Sequence, residues 1–342
     1  MEILIIGAGS WGTTLAFILA EKGYRTVIWS KEDEVIKDIN NNKKNQKYTD
    51  DLLLPFNIRA IGYKDLDTLR AKENIDFKLV IFAVPSEYLR QVSVNFKDFL
   101  KEHSLNLIAV VNAAKGIELE TKQRMSQVLF DVLPEKLKNK IAVLSGPNIS
   151  SEIMNKLPSV STIASESKAI TAFLQPILST EFFRVYTNED MTGVEICGAY
   201  KNIIAIAAGI SDGLGFGANT KASLVTRGLN ELKRFGLCYG SKVPTFYGAA
   251  GLGDLITTCI SPKSRNRSVG ERIAKGEKLK DIIGSMSMVA EGVKTAKAVY
   301  EMSTELNIEL PIAESVYRVL FKNADPMKSV KNLMTRKFKS ED

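Results

Sequence analysis

Histidine is almost missing from this chain: among 342 residues the only one is His103, set in the polar stretch "KEHSLN". A surface or loop role suits it there. The scarcity excludes multi-histidine metal sites and histidine-based general acid/base chemistry, so proton transfer falls to Lys, Asp, Glu, Tyr or Cys. No metal centre is expected. Cysteine is scarce as well. Cys197, Cys238 and Cys259 lie far apart with no CxxC pair and no even-numbered framework, which excludes a disulfide scaffold and fits a reducing cytoplasm. The longest apolar run, Ile203 to Ile210, falls well short of the roughly 18 residues that a membrane span needs. The first residues carry no basic leader region. Neither secretion nor membrane insertion is expected.

Charge of neither sign dominates. Lys and Arg number 46 against 39 Asp and Glu, a net charge of +7, with much of the excess in "NNKKNQK" and in "KSVKNLMTRKFK" near the end. Such segments ordinarily serve as solvated surface. A nucleic-acid partner would require a basic face interleaved with aromatics or a reader motif, and neither is evident. The excess suggests an anionic partner without naming it.

What is present is organised in two halves. At 45% hydrophobic residues the chain can bury a core in each of two domains. After Met1-Glu2 it reads "ILIIGAGSWGTTLAFILAEKGYRTVIWSKE": a strand, a glycine turn, a helix from Thr13 to Lys22 stopped by Gly23, and a second strand over 26–30. Gly7, Gly9 and Gly12 form G-x-G-x-x-G between strand and helix, the setting in which glycines admit a pyrophosphate to free amides at a helix N-terminus. Dinucleotide binding is the reading; a glycine turn that only packs helix on strand is the alternative. Beyond the second strand, where an acidic residue usually holds the adenosine ribose, stand Ser30 and Lys31, followed by Glu32 and Asp33. A hydroxyl and a cation suit a 2′-phosphate better than a ribose diol, which favours NADP over NAD. Further apolar runs over 77–85, 105–116, 140–147, 159–165 and 182–187, mostly separated by helix-like stretches, predict a parallel sheet covered on both faces. From about Glu189 helices take over, which places a boundary between domains 1–188 and 189–342.

Four places carry the chemistry. "AVPSEYL" and "NAAKGIE" both follow strands, which sets Lys115 at the carboxyl edge of the sheet, facing a ligand or salt-bridged on a loop. "SGPNISSE" reads as another strand-turn-helix junction with free amides, around Gly146, Asn148 and Ser150. In "GVEICGAYKNIIAIAAGISDGLGFGANT", Lys201 and Asn202 interrupt a small and apolar helix, with Glu195 two turns away on the face of Asn202. Desolvation disfavours a charged lysine there, as a general acid/base requires; a lysine reaching to the surface is the alternative. Finally, the glycines of "GAAGLGD" allow close backbone approach to Asp254, whose carboxylate can pair with a lysine, and Ser264-Arg265-Asn266-Arg267 offers a donor set suited to a phosphate dianion. A solvated basic loop is the other reading of that run.

The motifs "GAGSWGT", "AVPS", "AAKG", "SGP", "GVEICGAYKNIIAIAAGISDGL", "TRGL", "GLGDLITTC", "SRNR" and "EGV", in this order over most of the chain, resemble those of the NAD(P)-dependent glycerol-3-phosphate dehydrogenases. The resemblance implies an α/β fold, a Rossmann-type dinucleotide-binding domain followed by an all-α domain, and reversible reduction of dihydroxyacetone phosphate to sn-glycerol 3-phosphate for phospholipid synthesis. By position it makes Lys201 the general acid/base and Lys115 and Asp254 its charged support. It gives Gly146, Asn148, Lys115, Asn202, Thr258, Ser264, Arg265 and Asn266 to the substrate. Together with the reading of the glycine turn and of the end of the second strand, it gives Gly7, Gly9, Ser10, Trp11, Gly12, Ser30, Lys31, Lys115, Ser150, Arg265, Val289 and Glu291 to NADP or NAD. A cytoplasmic homodimer is the expected form. Two stretches depart from the family pattern: Tyr48-Thr49-Asp50-Asp51 replaces its Tyr-Leu-Pro-Gly element, and Asn148 stands where a serine or threonine is commoner. Another reductase acting on a different phosphorylated hydroxy acid would share the fold, and a non-catalytic dinucleotide sensor would share the glycine loop but has no need of Lys201, Asp254 and Arg265 together.

Overall fold

The computed structural model describes residues 1–342 except 64, 66, 67, 69–76, 287, 339, 341 and 342. The described residues form two compact units, one of Met1–Lys115 with Gln123–Glu195 and the other of Gly116–Lys122 with Ile196–Asp342.

The first unit is built on an eight-stranded sheet: β1 (Glu2–Ile6), β2 (Arg25–Trp29), β3 (Ile58–Ile61), β4 (Phe77–Phe82), β5 (Ala109–Asn112), β6 (Ile141–Ser145), β7 (Ser159–Ala164) and β8 (Phe183–Asn188), in spatial order β3-β2-β1-β4-β5-β6-β7-β8. Successive residues of a strand point to opposite faces. Ile3 and Ile5 on one face and Leu4 and Ile6 on the other are all fully buried, so both faces are covered, as the continuous apolar runs require. Leu15 and Ile18 of the helix Ser10–Glu21 pack on the face of Ile3 and Ile5. The strand order reverses between β1 and β4. In an open α/β sheet the crevice beyond the strand ends at such a reversal is where ligands bind.

Two features differ from the reading of the sequence. β3 has no counterpart there, and β7 runs antiparallel to β6, with Leu144 opposite Ile163. The helix joining them, Ser150–Met154, has five residues and so advances the chain only about 7 Å. That is too little to return it along a strand of roughly 20 Å for parallel pairing.

The second unit is helical and is organised around the long helix Met191–Gly213, whose later part sits among buried Leu232, Phe235, Phe246, Val269 and Val299. By length and composition this helix alone, among the described residues, passes as a membrane span, although its longest uninterrupted apolar run is short. The mark of a core helix is nonetheless plain, since its most apolar stretch is 94% buried inside the fold.

A buried carboxylate ties this core together. Glu231, on the helix Ala218–Leu237, accepts hydrogen bonds from the Tyr200 hydroxyl at 3.1 Å and from the backbone N–H groups of Ile312 at 2.7 Å and Ala313 at 3.2 Å. It thereby caps the helix Pro311–Phe321. Burial, against those donors, pushes its carboxyl up to about 7. The folded chain therefore holds this proton more tightly than the unfolded chain, whose carboxyl titrates near 4.5. The resulting stabilisation is complete below the lower value and is lost as pH rises through the upper one. In urea unfolding at about pH 5 and about pH 8, the wild type should lose roughly 2 to 3 kcal/mol relative to Glu231→Gln on going to the higher pH. A constant difference between the two proteins would exclude this titration.

Candidate active site

In the first unit the glycine turn divides its labour. Gly7 adopts φ +118, and a Cβ on it would lie 2.7 Å from the Ala83 carbonyl oxygen; a Cβ on Gly12 would lie 1.9 Å from that of Gly7. These two glycines serve close packing. Gly9 is different, because a Cβ there would meet nothing within 4 Å. It immediately precedes the helix Ser10–Glu21, so the open space lies beside the unsatisfied first-turn amides of Ser10, Trp11 and Gly12. Trp11 adds a buried indole N–H with no partner among the described residues. A cradle open at Gly9, amides at a helix N-terminus and an orphan donor together fit a dinucleotide pyrophosphate. Asn45, fully buried, fastens the following loop to this turn through Nδ2, which donates to the Ala8 carbonyl at 2.8 Å and to Thr13 Oγ1 at 2.7 Å.

At the end of β2, Ser30 is buried and its Oγ accepts the Glu32 amide at 3.1 Å, so it shapes the turn. Lys31 is exposed and extends over the Tyr88 ring, 5.3 Å from its centroid.

Lys115 donates from Nζ to the Gly146 carbonyl at 3.0 Å, which brings the "AAKG" and "SGP" turns together. Asn112 braces the first turn, its side chain pairing with both backbone groups of Ala114. A Cβ on Gly146 would press 2.8 Å from the Ser161 Cα, so this glycine too serves packing. Asn148 is committed to β7: Nδ2 donates to the Val160 carbonyl at 2.9 Å and Oδ1 accepts from Ser161 at 3.1 Å. Ser150 opens the helix Ser150–Met154. Glu195 is taken by Arg124, by the Ser126 amide at 2.7 Å and by the Ser126 hydroxyl at 2.6 Å, and so anchors the start of the long helix. Helical spacing sets Glu195 beside Asn202, and nothing in the sequence signals Arg124 or Ser126.

In the second unit Lys201 and Asp254 form a buried ion pair, 6% and 1% exposed, which joins the lysine and the lysine-pairing carboxylate that the sequence offers separately. Thr258 completes it: its hydroxyl accepts from Lys201 Nζ at 2.8 Å and donates to the Asp254 carbonyl one helical turn back at 2.6 Å. An ammonium removed from water in this way is tolerated because both contacts favour its charge. The neighbouring Cys259 is inert, its thiol pushed by burial up to about 12.

The helix Arg265–Ala274 lies directly on the long helix because glycines allow it. A Cβ on Gly209 would stand 1.9 Å from the Arg267 carbonyl oxygen, and one on Gly270 would stand 2.0 Å from that of Ile206. Arg267 locks the crossing, with Nε 2.7 Å from Asp212 and Nη2 2.6 Å from Glu271. Its sequence neighbours suggest a phosphate site for Arg267; these carboxylates place it in the scaffold instead. The crossing delivers Asn266 to Asn202, Nδ2 to Oδ1 at 2.9 Å, while Asn266 Oδ1 accepts from the Gly292 amide at 2.9 Å. Ser264 is the N-cap, accepting from the Arg267 amide at 3.3 Å. Arg265 is exposed and donates from Nη1 to the Val289 carbonyl at 3.0 Å, which gathers Arg265, Asn266, Val289 and the first turn of the helix starting at Glu291. Among the described residues no group of three or more His, Cys, Asp or Glu could hold a metal ion.

Along most of its length the chain is similar to known proteins. Residues 2–171 match the model of the NAD-dependent glycerol-3-phosphate dehydrogenase N-terminus, and residues 190–331 match that of its C-terminus. The chain is 43% identical over 340 residues to a glycerol-3-phosphate dehydrogenase [NAD(P)+] of Citrifermentans bemidjiense, with 99% of this chain and 98% of the relative covered. Among solved structures it resembles glycerol-3-phosphate dehydrogenase from Coxiella burnetii, at a TM-score of 0.87, 32% identity and coverage of 98% of this chain and 99% of the other. The enzyme of Saccharomyces cerevisiae aligns at a TM-score of 0.80 and 28% identity, covering 98% and 99%.

Proposed function

The chain belongs to the NAD-dependent glycerol-3-phosphate dehydrogenase family, and from that premise we propose how its residues interconvert dihydroxyacetone phosphate and sn-glycerol 3-phosphate. Such an enzyme is an oxidoreductase using NAD or NADP, and its product feeds glycerophospholipid synthesis. The observation that carries the reading is the buried Lys201–Asp254 pair with Thr258 bonded to it, in which Lys201 comes from the helix that also presents Asn202 and its two partners come from the helix Asp254–Ile260.

Residues 1–188 hold the cofactor in this proposal and residues 189–342 handle the substrate. Gly7, Gly9 and Gly12 shape the turn, and the amides of Ser10, Trp11 and Gly12 meet the pyrophosphate. When bound, the reduced nicotinamide supplies a hydride. Charge then develops on the ketone oxygen, where a protonated Lys201 donates, at the position most sensitive to a fixed donor. Asp254 and Thr258 orient the ammonium. In the opposite direction a neutral Lys201 accepts the hydroxyl proton. Arg265, with Asn266 beside it, binds the phosphate, so that remote binding energy positions the reacting carbon. Lys115 adds charge at the turn it shares with Gly146. Val289 and Glu291 are the proposed cofactor contacts from the segment next to Arg265. Asn148 and Ser264, committed to β7 and to a helix cap respectively, enter as supports of the site. We also propose a cytoplasmic homodimer that does not insert into membranes; cysteine usage and the burial of the long helix support its location.

Mixing the protein with dihydroxyacetone phosphate and following loss of reduced-cofactor absorbance, with NADPH and NADH in separate arms, tests the reading. Consumption of at least one cofactor only when the ketone is present is expected. A protein that binds cofactor but never consumes it would be a sensor.

A further inference from the structure

The loop that departs from the family pattern makes contacts that bear on cofactor choice. At the end of β2, a dinucleotide-binding sheet places the group that reads the adenosine ribose, and a carboxylate there accepts the ribose hydroxyl while repelling a 2′-phosphate. Glu32 stands two residues after Ser30, close enough to take that part. It is held elsewhere. Its Oε1 accepts from the Tyr48 hydroxyl at 2.7 Å, and its Oε2 pairs with the Lys47 ammonium, which also reaches Glu34. Against the desolvation that raises it, these two partners, with a smaller contribution from the charge of Lys31, keep the Glu32 carboxyl below its ordinary value, so it stays ionised. The loop bearing Lys47 and Tyr48 is itself fixed: the Tyr48 and Thr49 amides return to the Asn45 carbonyl at 3.1 and 2.9 Å, and buried Asn45 is bolted to the glycine turn at Ala8 and Thr13. Lys31 meanwhile lies over the face of Tyr88, a contact that cancels none of its charge.

We propose that Lys47 and Tyr48 clamp Glu32 away from the adenosine 2′ position, so that Lys31 meets a 2′-phosphate and the chain selects NADP over NAD. The clamp makes residues 45–48 a specificity determinant acting through Glu32, and it rests on the reading of the β2 end as the adenosine site. Releasing Glu32 should then cost affinity only for ligands that carry the 2′-phosphate.

Calorimetric titration with adenosine 2′,5′-bisphosphate and with 5′-AMP tests this apart from turnover. The wild type should bind the bisphosphate more tightly. Lys47→Ala should weaken bisphosphate binding by about 3- to 10-fold, the scale of one exposed like-charge contact, and leave 5′-AMP within about twofold. Adding Glu32→Gln to Lys47→Ala should restore most of the loss, since the repelling charge is gone. Equal weakening of both probes would mean that Lys47 merely supports the loop, and an undiminished loss in the Glu32→Gln background would mean that Lys47 touches the phosphate itself; either overturns the clamp. If neither probe binds the wild type while the enzyme still reduces its ketone with NADPH, the β2 end is not the adenosine site and the clamp falls with that placement, leaving the catalytic reading intact.

Discussion

Replacing Lys201 by Ala should lower kcat by roughly 10²- to 10⁴-fold, the range expected when a positioned general acid/base is lost. The size of the effect follows because the side chains next to Lys201 are poor substitutes. Thr258 bonds Lys201, but its own proton is given to the Asp254 carbonyl. Cys259 holds its proton up to about 12. Histidine is excluded by composition. The substitution also takes the Lys201 charge away from Asp254, 1% exposed, and breaking a buried pair by removing one member costs about 3–5 kcal/mol. Folding and catalysis therefore need separating. Lys201→Ala/Asp254→Asn also removes the carboxylate charge and should recover part of the thermal stability while kcat stays low. If the double variant regained turnover, the lysine would be a structural partner of Asp254 and the proton donor would lie elsewhere.

The second large effect concerns Arg265. A hydrogen bond to a charged group contributes about 1.5 to 3 kcal/mol, so Arg265→Ala should raise KM for dihydroxyacetone phosphate by one to two decades. Dihydroxyacetone, which lacks the phosphate, should be turned over about as poorly by the variant as by the wild type. The guanidinium is suited to phosphate binding because it is exposed, the Val289 carbonyl fixes it at 3.0 Å, and its five N–H donors exceed what that bond consumes. Arg267, two residues on, is the internal control. Its loss should show first in thermal stability, because its partners are Asp212 and Glu271. Equal losses for Arg265→Ala with both substrates would make Arg265 a scaffold residue as well.

Much of this was legible in the sequence because it is local. Seven of the eight strands follow from apolar runs and glycine punctuation, although the edge strand β8 alternates buried and exposed residues where the reading expected both faces covered. The missed strand, β3, has four residues with exposed Arg59 inside it, too short and too mixed to show a period. That a lysine at 201 would be costly unpaired, and that Asp254 can pair with a lysine, were readable from their apolar and glycine-rich surroundings; that these two meet is set by the fold. Partners chosen by the tertiary fold were not readable. Asn148 turns to Val160 because β7 comes back antiparallel, and Glu195 finds Arg124 and Ser126 about seventy residues earlier in the chain. Neither choice leaves a local trace. The packing role of Gly7 and Gly12, against the openness at Gly9, likewise depends on where Ala83 and the turn's own carbonyls fall.

The central claim is a ketone reduction in which cofactor hydride reaches carbon and Lys201 serves the oxygen. The most direct measurement is mass spectrometry of the product formed from dihydroxyacetone phosphate and NADPH deuterated at the transferable position, for the wild type and for Lys201→Ala. The wild type should yield sn-glycerol 3-phosphate carrying one deuterium at its central carbon, and the variant should yield the same labelled product only at the much lower rate. Unlabelled glycerol phosphate, or labelled product formed equally fast without the lysine, would contradict the account.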